Sequence, residues 1–589
     1  MRFLTLVLFA ALLAAQPIPR PEYPQPQFER KEWLSLNGQW DFEFSEASPK
    51  AYTRKIVVPY SFEAKLSGIG DTGFHPYVWY RRNFTVPSGW IGRHVLLHFG
   101  AVDYQAQVWV NGHFAGTHEG GNTPFHFDVT SYLNAGANTV ILQAWDPPTD
   151  RYLPRGKQYW LPQSKGIFYT RTSGIWQPVW IEASGDNYLK RVRVRAGMDG
   201  VASFEARLAK PESGLSFEAT VSFAGKEVAR FSTKTTELST IESAVIVRNP
   251  TLWSFDNPAL YDIVYELKRE SVVIDRVHSY TGFRSVAVES GQMLLNRRPI
   301  LFRSVLDQGY WPESNLTPPT DAAIQYDIRM MKEMGFNGAR KHQKLEDPRF
   351  LYWADKMGLM VSSEMANAYL FDEQYVARFT REWTEAMERD ANHPSIVMWI
   401  PINESWGVPD LSDPRQQNHL KAMYTLAKSI DPTRPVIDND GWEHTDMTDL
   451  MGLHDYARTG QQLEEKYAGM KLEPGLAVPA NGRIAMVPGY RYNGSAFFLS
   501  EFGGVAYVAP GSTVPPDSWG YSGVEKSEAA TLERMSGLFR AAARFPFSIG
   551  YCYTQLTDVE QEINGLMTYD RKPKFPLEKI KEMNSSPRR

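Results

Sequence analysis

The sequence predicts two β-sandwiches, a jelly roll and then an immunoglobulin-like one, followed by a (β/α)8 barrel. Three observations carry that prediction. Up to about residue 285, short alternating runs follow one another with turn residues between them and no helical period. Beyond that point, apolar strand-length runs alternate with amphipathic helical segments, the pattern of βα units on a parallel sheet. The most apolar of these runs, Ile396–Ile400 within SIVMWIPINESW, has no alternation, which suits a strand covered on both faces. It ends abruptly in Asn403 and Glu404, where a barrel strand would present its C-terminal end and its chemistry.

At 589 residues the chain exceeds one ordinary domain, and 43% hydrophobic with 22% charged residues is the balance of soluble globular protein. A net charge of −4 leaves no basic footprint for nucleic acid. The single cysteine, Cys552, excludes an intrachain disulfide. The 12 histidines form no HExxH and no zinc spacing, so neither metal nor cofactor is expected.

Residues 1–16 read as a signal peptide: Arg2, then the apolar FLTLVLFAALLAA, then small residues before a cut near Ala15. The run is short for a membrane span and contains no cysteine for a lipid, so a secreted or periplasmic protein without a membrane anchor is expected.

Residues 17–184 form the first expected domain. A Pro-rich lead-in precedes strands in LSLNGQWDFEF, WYRRNFTV, HVLLHFG, AQVWVNGHFAG, NTVILQAWD and SGIWQPVWIE. Asn111-Gly112 between alternating runs predicts a tight hairpin, because a type I′ turn needs positive φ twice. Residues 185–285 carry shorter alternating strands and no cluster of catalytic residue types, and read as the immunoglobulin-like sandwich. Residues 286–589 supply eight strand-like runs: 299–306, 336–342, 359–366, 395–404, 434–440, 450–456, 496–503 and 547–556. Helical segments lie between them, such as Thr320–Met334, Pro348–Met357, Gln374–Asn392, Gln416–Ser429 and Ser527–Ala543. No Gly-rich phosphate turn supports an open doubly wound sheet instead.

The barrel brings distant residues to one rim. The seventh run ends in Ser500-Glu501-Phe502-Gly503, so Glu404 and Glu501 would stand together. Two carboxylates flanking a cleft are what glycosidic bond cleavage requires, one protonated and one ionised. The 13% aromatic content suits stacking on sugar faces as well as sandwich cores.

With Asn403-Glu404 after the fourth strand, Ser500-Glu501-Phe502-Gly503 after the seventh, and LNGQWDF, VWVNG and SGIWQPVW upstream, the chain resembles glycoside hydrolase family 2. That family includes β-galactosidases, β-glucuronidases and β-mannosidases, and the resemblance spans nearly everything after the leader. It implies Glu404 as acid/base and Glu501 as nucleophile, with Asn403 bonding the substituent at C2. It also implies that Arg340 and His342 hold the nucleophile and the sugar hydroxyls, and that Tyr456 donates to the nucleophile.

His454, Asp438, Gln555 and Trp519 are further candidates for binding the sugar, and Trp311, Trp406 and Trp442 for stacking on it. Family β-glucuronidases carry an Asn-x-Lys pair before a segment like GLMTYDRKPK. Aligned on that segment, the pair falls on Gln561 and Ile563, which favours a neutral sugar unless Arg491 or another base supplies a charge. The expected activity is therefore retaining, exo-acting hydrolysis of terminal neutral sugars from oligo- or polysaccharides. The alternatives are an inactive carbohydrate-binding protein on the same scaffold, a β-glucuronidase with an atypical carboxylate site, and a metal-dependent barrel hydrolase.

Overall fold

A computed structural model of the chain describes residues 17–468, 479–480 and 482–585. The leader read at residues 1–16 lies outside the described residues.

The first sandwich packs a six-stranded sheet (in order 54–58, 38–44, 77–85, 137–145, 105–110, 113–119) on a four-stranded one (33–35, 179–184, 94–99, 125–128). Alternate residues of each strand, such as Trp40, Phe42, Val108, Val110, Leu142 and Ile181, meet in one apolar core. Asn111 and Gly112 have φ of +51° and +82°, the tight turn that the Asn-Gly pair predicts. The second sandwich pairs a three-stranded sheet (189–196, 201–208, 240–246) with a four-stranded one (226–234, 216–223, 261–269, 272–281). An antiparallel hairpin unit, 286–300, follows it and plugs the barrel floor through Val286, Met293 and Leu295.

The barrel strands are β1 (Phe302–Asp307), β2 (Gly338–Lys341), β3 (Met360–Glu364), β4 (Ile396–Ile400), β5 (Asn439–Asp440), β6 (Leu450–Asp455), β7 (Ala496–Gly503) and β8 (Ser548–Thr554). Seven of them pair in parallel in the order β4-β3-β2-β1-β8-β7-β6. β5 closes the ring: Ile402 and Asn403 pair in parallel with Asn439 and Asp440, and Trp399 bridges Val436. The helices are α1 (Asp321–Glu333), α2 (Pro348–Met357), α3 (Glu373–Asp390), α4 (Pro414–Ile430), α5 (Gly460–Tyr467), α6 (Glu528–Ala543) and α7 (Leu577–Asn584).

Local chemistry explains these elements. Thr320, Asp347, Asp372, Asp413, Thr459 and Ser527 each accept a bond from the first turn of the helix they precede. Two departures from the sequence reading have physical causes. The run 299–306 begins in the plug hairpin, because Arg298–Ile300 pair with Met293–Leu295 before β1 starts. The run 434–440 forms a regular ladder only at its end, because the Val436 amide bonds the Asp449 carboxylate instead of a strand neighbour.

The two sandwiches meet opposite ends of the barrel. The second touches the floor: Trp253 Nε1 donates to Asp355 O, and Arg284 donates to Pro394 O and Ile396 O at the start of β4. The first reaches the C-terminal rim through its loop 147–172. Arg155 N and Gly156 N both donate to Asn367 O beyond β3, and Tyr169 OH donates to Glu562 beyond β8.

Candidate active site

Arg340 organises the rim. It closes β2, is fully buried, and spends its guanidinium on the ends of five other strands, reaching β6 through Nη1, 3.2 Å from His454 Nε2. Nε donates to Glu364 Oε2 (2.8 Å), Nη2 to Asn403 Oδ1 (2.6 Å), and Nη1 to Glu501 Oε1 (2.9 Å) and Ser500 O (3.0 Å). Asp440 Oδ2 lies 3.1 Å from Nη2. Burial alone would strip this charge; Asp440, Glu364 and Glu501 override it and hold the guanidinium firmly protonated. Burial works against an ionised Asp440 as well, and Arg340 reverses it, keeping that carboxylate well below its ordinary range.

Glu501 is 5% exposed. Its Oε1 takes the Arg340 bond and its Oε2 accepts from Tyr456 OH. Burial, followed by the Glu501 charge, pushes the phenol well above its usual range, so Tyr456 stays a donor. The Tyr456 ring lies flat on Tyr521 with centroids 3.4 Å apart.

Glu404 follows the strained end of β4. Glu404 and Ser405 have φ of +52° and +60°, the left-handed region that costs most residues about 1 kcal/mol or more. Glu404 N donates to Asp440 O (2.8 Å), and Glu404 Oε1 lies 2.7 Å from His454 Nδ1. The other ring nitrogen, Nε2, lies 3.5 Å from Glu501 Oε1 and 3.7 Å from Asp440 Oδ2. Burial opposes a charged imidazole here. The Glu501 charge, then Asp440 and Glu404, overcome it and push His454 up to about 10. One side-chain atom each of Glu404, His454 and Glu501 falls within 4.8 Å of the others, so the two carboxylates face each other across a short gap. These are metal-ligand types, but Arg340 and a charged His454 already supply that gap with positive charge.

The other candidates divide. Asn403 gives Oδ1 to Arg340, while its buried Nδ2 has no partner among the described residues. His342 is buried beside Glu364 (3.0 Å); burial, then Lys157 and Arg340, keep it neutral. Gln555 accepts from Gln308 Nε2 (2.8 Å) and leaves its own Nε2 unpaired among the described residues.

Asp438 has both its oxygens bonded within its own turn, by His444, Thr445 and Asn439, and so builds the loop after β5. Trp519 also turns to the loop. Its Nε1 donates to Gly166 O and it sits edge-on to Tyr521, which makes it a buttress. Trp311 has Arg571 stacked 3.7 Å from its ring centre, and Trp442 packs beside His454. Trp406 joins Trp160, Phe168 and Tyr369 in an aromatic wall beside Glu404. The pair after β8 shifts by one residue as well. Gln561 bonds Gly166 O and Phe168 O, and Ile563 pairs its backbone with Trp519, so Glu562 and Asn564 occupy the face toward Glu501.

Tyr521, Asn367, Lys157 and Glu562 went unread in the sequence. They lie in loops, where no period marks them, and only the fold brings them to the rim.

A (β/α)8 barrel with two opposed carboxylates on the ends of β4 and β7, one of them held by an arginine and a tyrosine, is the frame of a carbohydrate-cleaving barrel enzyme. Comparison with known proteins agrees. Residues 33–171 match the sugar binding domain of glycosyl hydrolases family 2, residues 187–284 match glycosyl hydrolases family 2, and residues 286–470 match its TIM barrel domain. A β-galactosidase of Thermoanaerobacter pseudethanolicus is 29% identical over 69% of this chain and 54% of its own length. One from Photobacterium profundum is 26% identical over 73% of this chain and 45% of its own. The chain thus spans about half the length of these curated relatives. In fold it is similar to a β-glucuronidase from Ruminococcus gnavus solved with D-glucaro 1,5-lactone, with a TM-score of 0.78 at 20% identity, over 96% of this chain and all of that one. The chain belongs to glycoside hydrolase family 2.

Proposed function

We propose that the protein is a retaining, exo-acting glycoside hydrolase that removes a terminal neutral sugar by double displacement. The observation that carries this reading is the gap between Glu404 and Glu501, with oxygens within 4.8 Å of one another. Retaining glycosidases hold their carboxyl groups about 5–5.5 Å apart, whereas inverting ones leave about 6.5–9.5 Å for a water.

Glu501, fixed by Arg340 and Tyr456, attacks the anomeric carbon and forms the glycosyl-enzyme. Glu404 protonates the departing oxygen and then takes a proton from the water that releases the sugar. Glu404 Oε1 lies 2.7 Å from His454 Nδ1, so the imidazole fixes the carboxyl in place beside the leaving group. Asn403 Nδ2, without a partner among the described residues, is the donor for the hydroxyl at C2. The wall of Trp160, Phe168, Tyr369 and Trp406 bounds the site on one side, which suits a chain end better than a chain interior. Neither Ile563 nor the exposed Arg491 offers a charge to a uronic acid. The leader-like N-terminus adds export to the proposal.

The test is a panel of aryl galactoside, glucoside, mannoside, xyloside, arabinosides and glucuronide, read with wild type and Glu501→Gln, with the anomer of the first product followed by NMR. Turnover of one neutral glycoside with retention, lost in the variant, supports the reading. Inversion would sink the mechanism, and a folded protein silent on every sugar would sink the activity. N-terminal sequencing of the exported protein checks the leader.

A further inference from the structure

Lys157 lies in the rim-reaching loop of the first sandwich and is 6% exposed. Its place is tightly fixed. The preceding residue, Gly156, has φ of +58°, and a Cβ there would stand 2.1 Å from Gln343 O, so only glycine lets the loop press this close to the barrel. Lys157 O accepts from Tyr169 N (2.9 Å). Asn367, whose carbonyl anchors Arg155 and Gly156, also receives Asn403 N and Gln343 Nε2 on its side chain.

The Lys157 ammonium lies 5.1 Å from the ring centre of Trp406, two residues beyond Glu404. Among the described residues it makes no hydrogen bond and no ion pair. The side chain is held in place with its three ammonium donors unused by those residues, so an acceptor entering the rim meets a ready partner. Burial makes the Glu562 carboxyl harder to ionise, and Lys157 is the first charge to oppose that; Lys157 also helps keep His342 neutral. The geometry ties the two together: Tyr169 gives its amide to Lys157 O and its hydroxyl to Glu562, so both residues hang on one hydrogen-bonded frame beside Trp406. Glu562 accepts from Tyr169 OH (2.7 Å) at one oxygen and from Asn564 Nδ2 (3.2 Å) at the other, and each oxygen keeps a second lone pair.

We propose that Lys157 and Glu562, from two different domains, form a donor–acceptor clamp for neighbouring hydroxyls of the terminal sugar. This rests on the glycosidase reading and adds what selects the sugar. A neutral diol satisfies both arms, with one hydroxyl oxygen accepting from the ammonium and one hydroxyl donating to the carboxylate. A sugar carboxylate in the same place gains Lys157 but meets Glu562, so uronides are rejected.

The experiment compares wild type, Lys157→Met and Glu562→Gln on the preferred aryl glycoside and on its 3-, 4- and 6-deoxy analogues. Binding of the corresponding free monosaccharides to the same proteins is followed by calorimetry. Each variant is expected to lose about 10–100-fold in kcat/KM on the parent sugar, mostly through KM. On one deoxy analogue the Lys157→Met loss should vanish, because wild type already lacks that bond; Glu562→Gln should behave likewise on a neighbouring position. Thermal midpoints near that of wild type confirm folding. Equal losses on every analogue would make Lys157 a structural residue and overturn the clamp. Preference for the glucuronide that disappears in Lys157→Met would overturn it in favour of a carboxylate site. If no glycoside is turned over, the glycosidase reading fails by itself, and the calorimetry still decides the clamp: deoxy-sensitive binding that depends on Lys157 upholds it, and indifference to Lys157 refutes it.

Discussion

The two sandwiches are built alike, yet they do different work on the barrel. The immunoglobulin-like one braces the floor, where Trp253 bonds the last turn of α2 and Arg284 bonds the entry to β4. The first one crosses to the rim and lays Gly156, Lys157 and Tyr169 among the residues around the carboxylates. Barrel strands carry chemistry at one end and stability at the other. The same β architecture thus becomes a brace or part of a pocket according to the end it meets.

Substitutions can break or sharpen this contrast. The largest effect is expected at the rim itself. Glu404→Ala should slow hydrolysis of unactivated glycosides by about 10²–10⁴-fold, while the first step on activated aryl glycosides stays near wild type, because a good leaving group needs no proton. Equal losses on both substrate types in steady-state and burst kinetics would remove Glu404 from the acid role. Next comes Gly156→Ala, which touches no carboxylate but drives the loop off Gln343 O. It should cost about 10–100-fold in kcat/KM with little change in thermal midpoint, since a small misplacement at a site is expensive.

Trp253→Phe should do the reverse. It removes a bond to Asp355 O and part of a fully buried ring, for about 1–3 kcal/mol of stability in chemical denaturation, and it should leave kcat/KM unchanged. A catalytic defect in folded Trp253→Phe would erase the distinction between the sandwiches. The smallest effect is a slope. The raised His454 contributes stability in full below about 6.5 and loses it as pH climbs through about 10. Wild type should therefore lose thermal midpoint between pH 6 and pH 9.5 by more than His454→Gln does.

Much of this was readable from the chain, for a physical reason. Strands such as Ile396–Ile400 and Phe497–Leu499 are buried on both faces, so their apolar runs announce them and place Glu404 and Glu501 at their ends. β5 was harder because Asp449 takes over its backbone bonding. Asp438 resembled a rim carboxylate, but only the fold shows its oxygens committed to Thr445 and His444. The segment after β8 was misread by one residue. In an extended stretch that slip exchanges the faces, turning Glu562 inward where Ile563 was expected. Lys157 and Tyr521 left no local signal, because their positions depend on loops from separate domains packing together.

Asn367 has a consequence for engineering. One side chain and its own carbonyl receive the loop of the first sandwich, Gln343 just beyond β2 and the backbone of Asn403 next to Glu404. Sandwich and barrel therefore meet through one shared residue. A chimera that joins this barrel to a relative's N-terminal domain has to bring a glycine to the place that meets Gln343, or the loop cannot seat on Asn367.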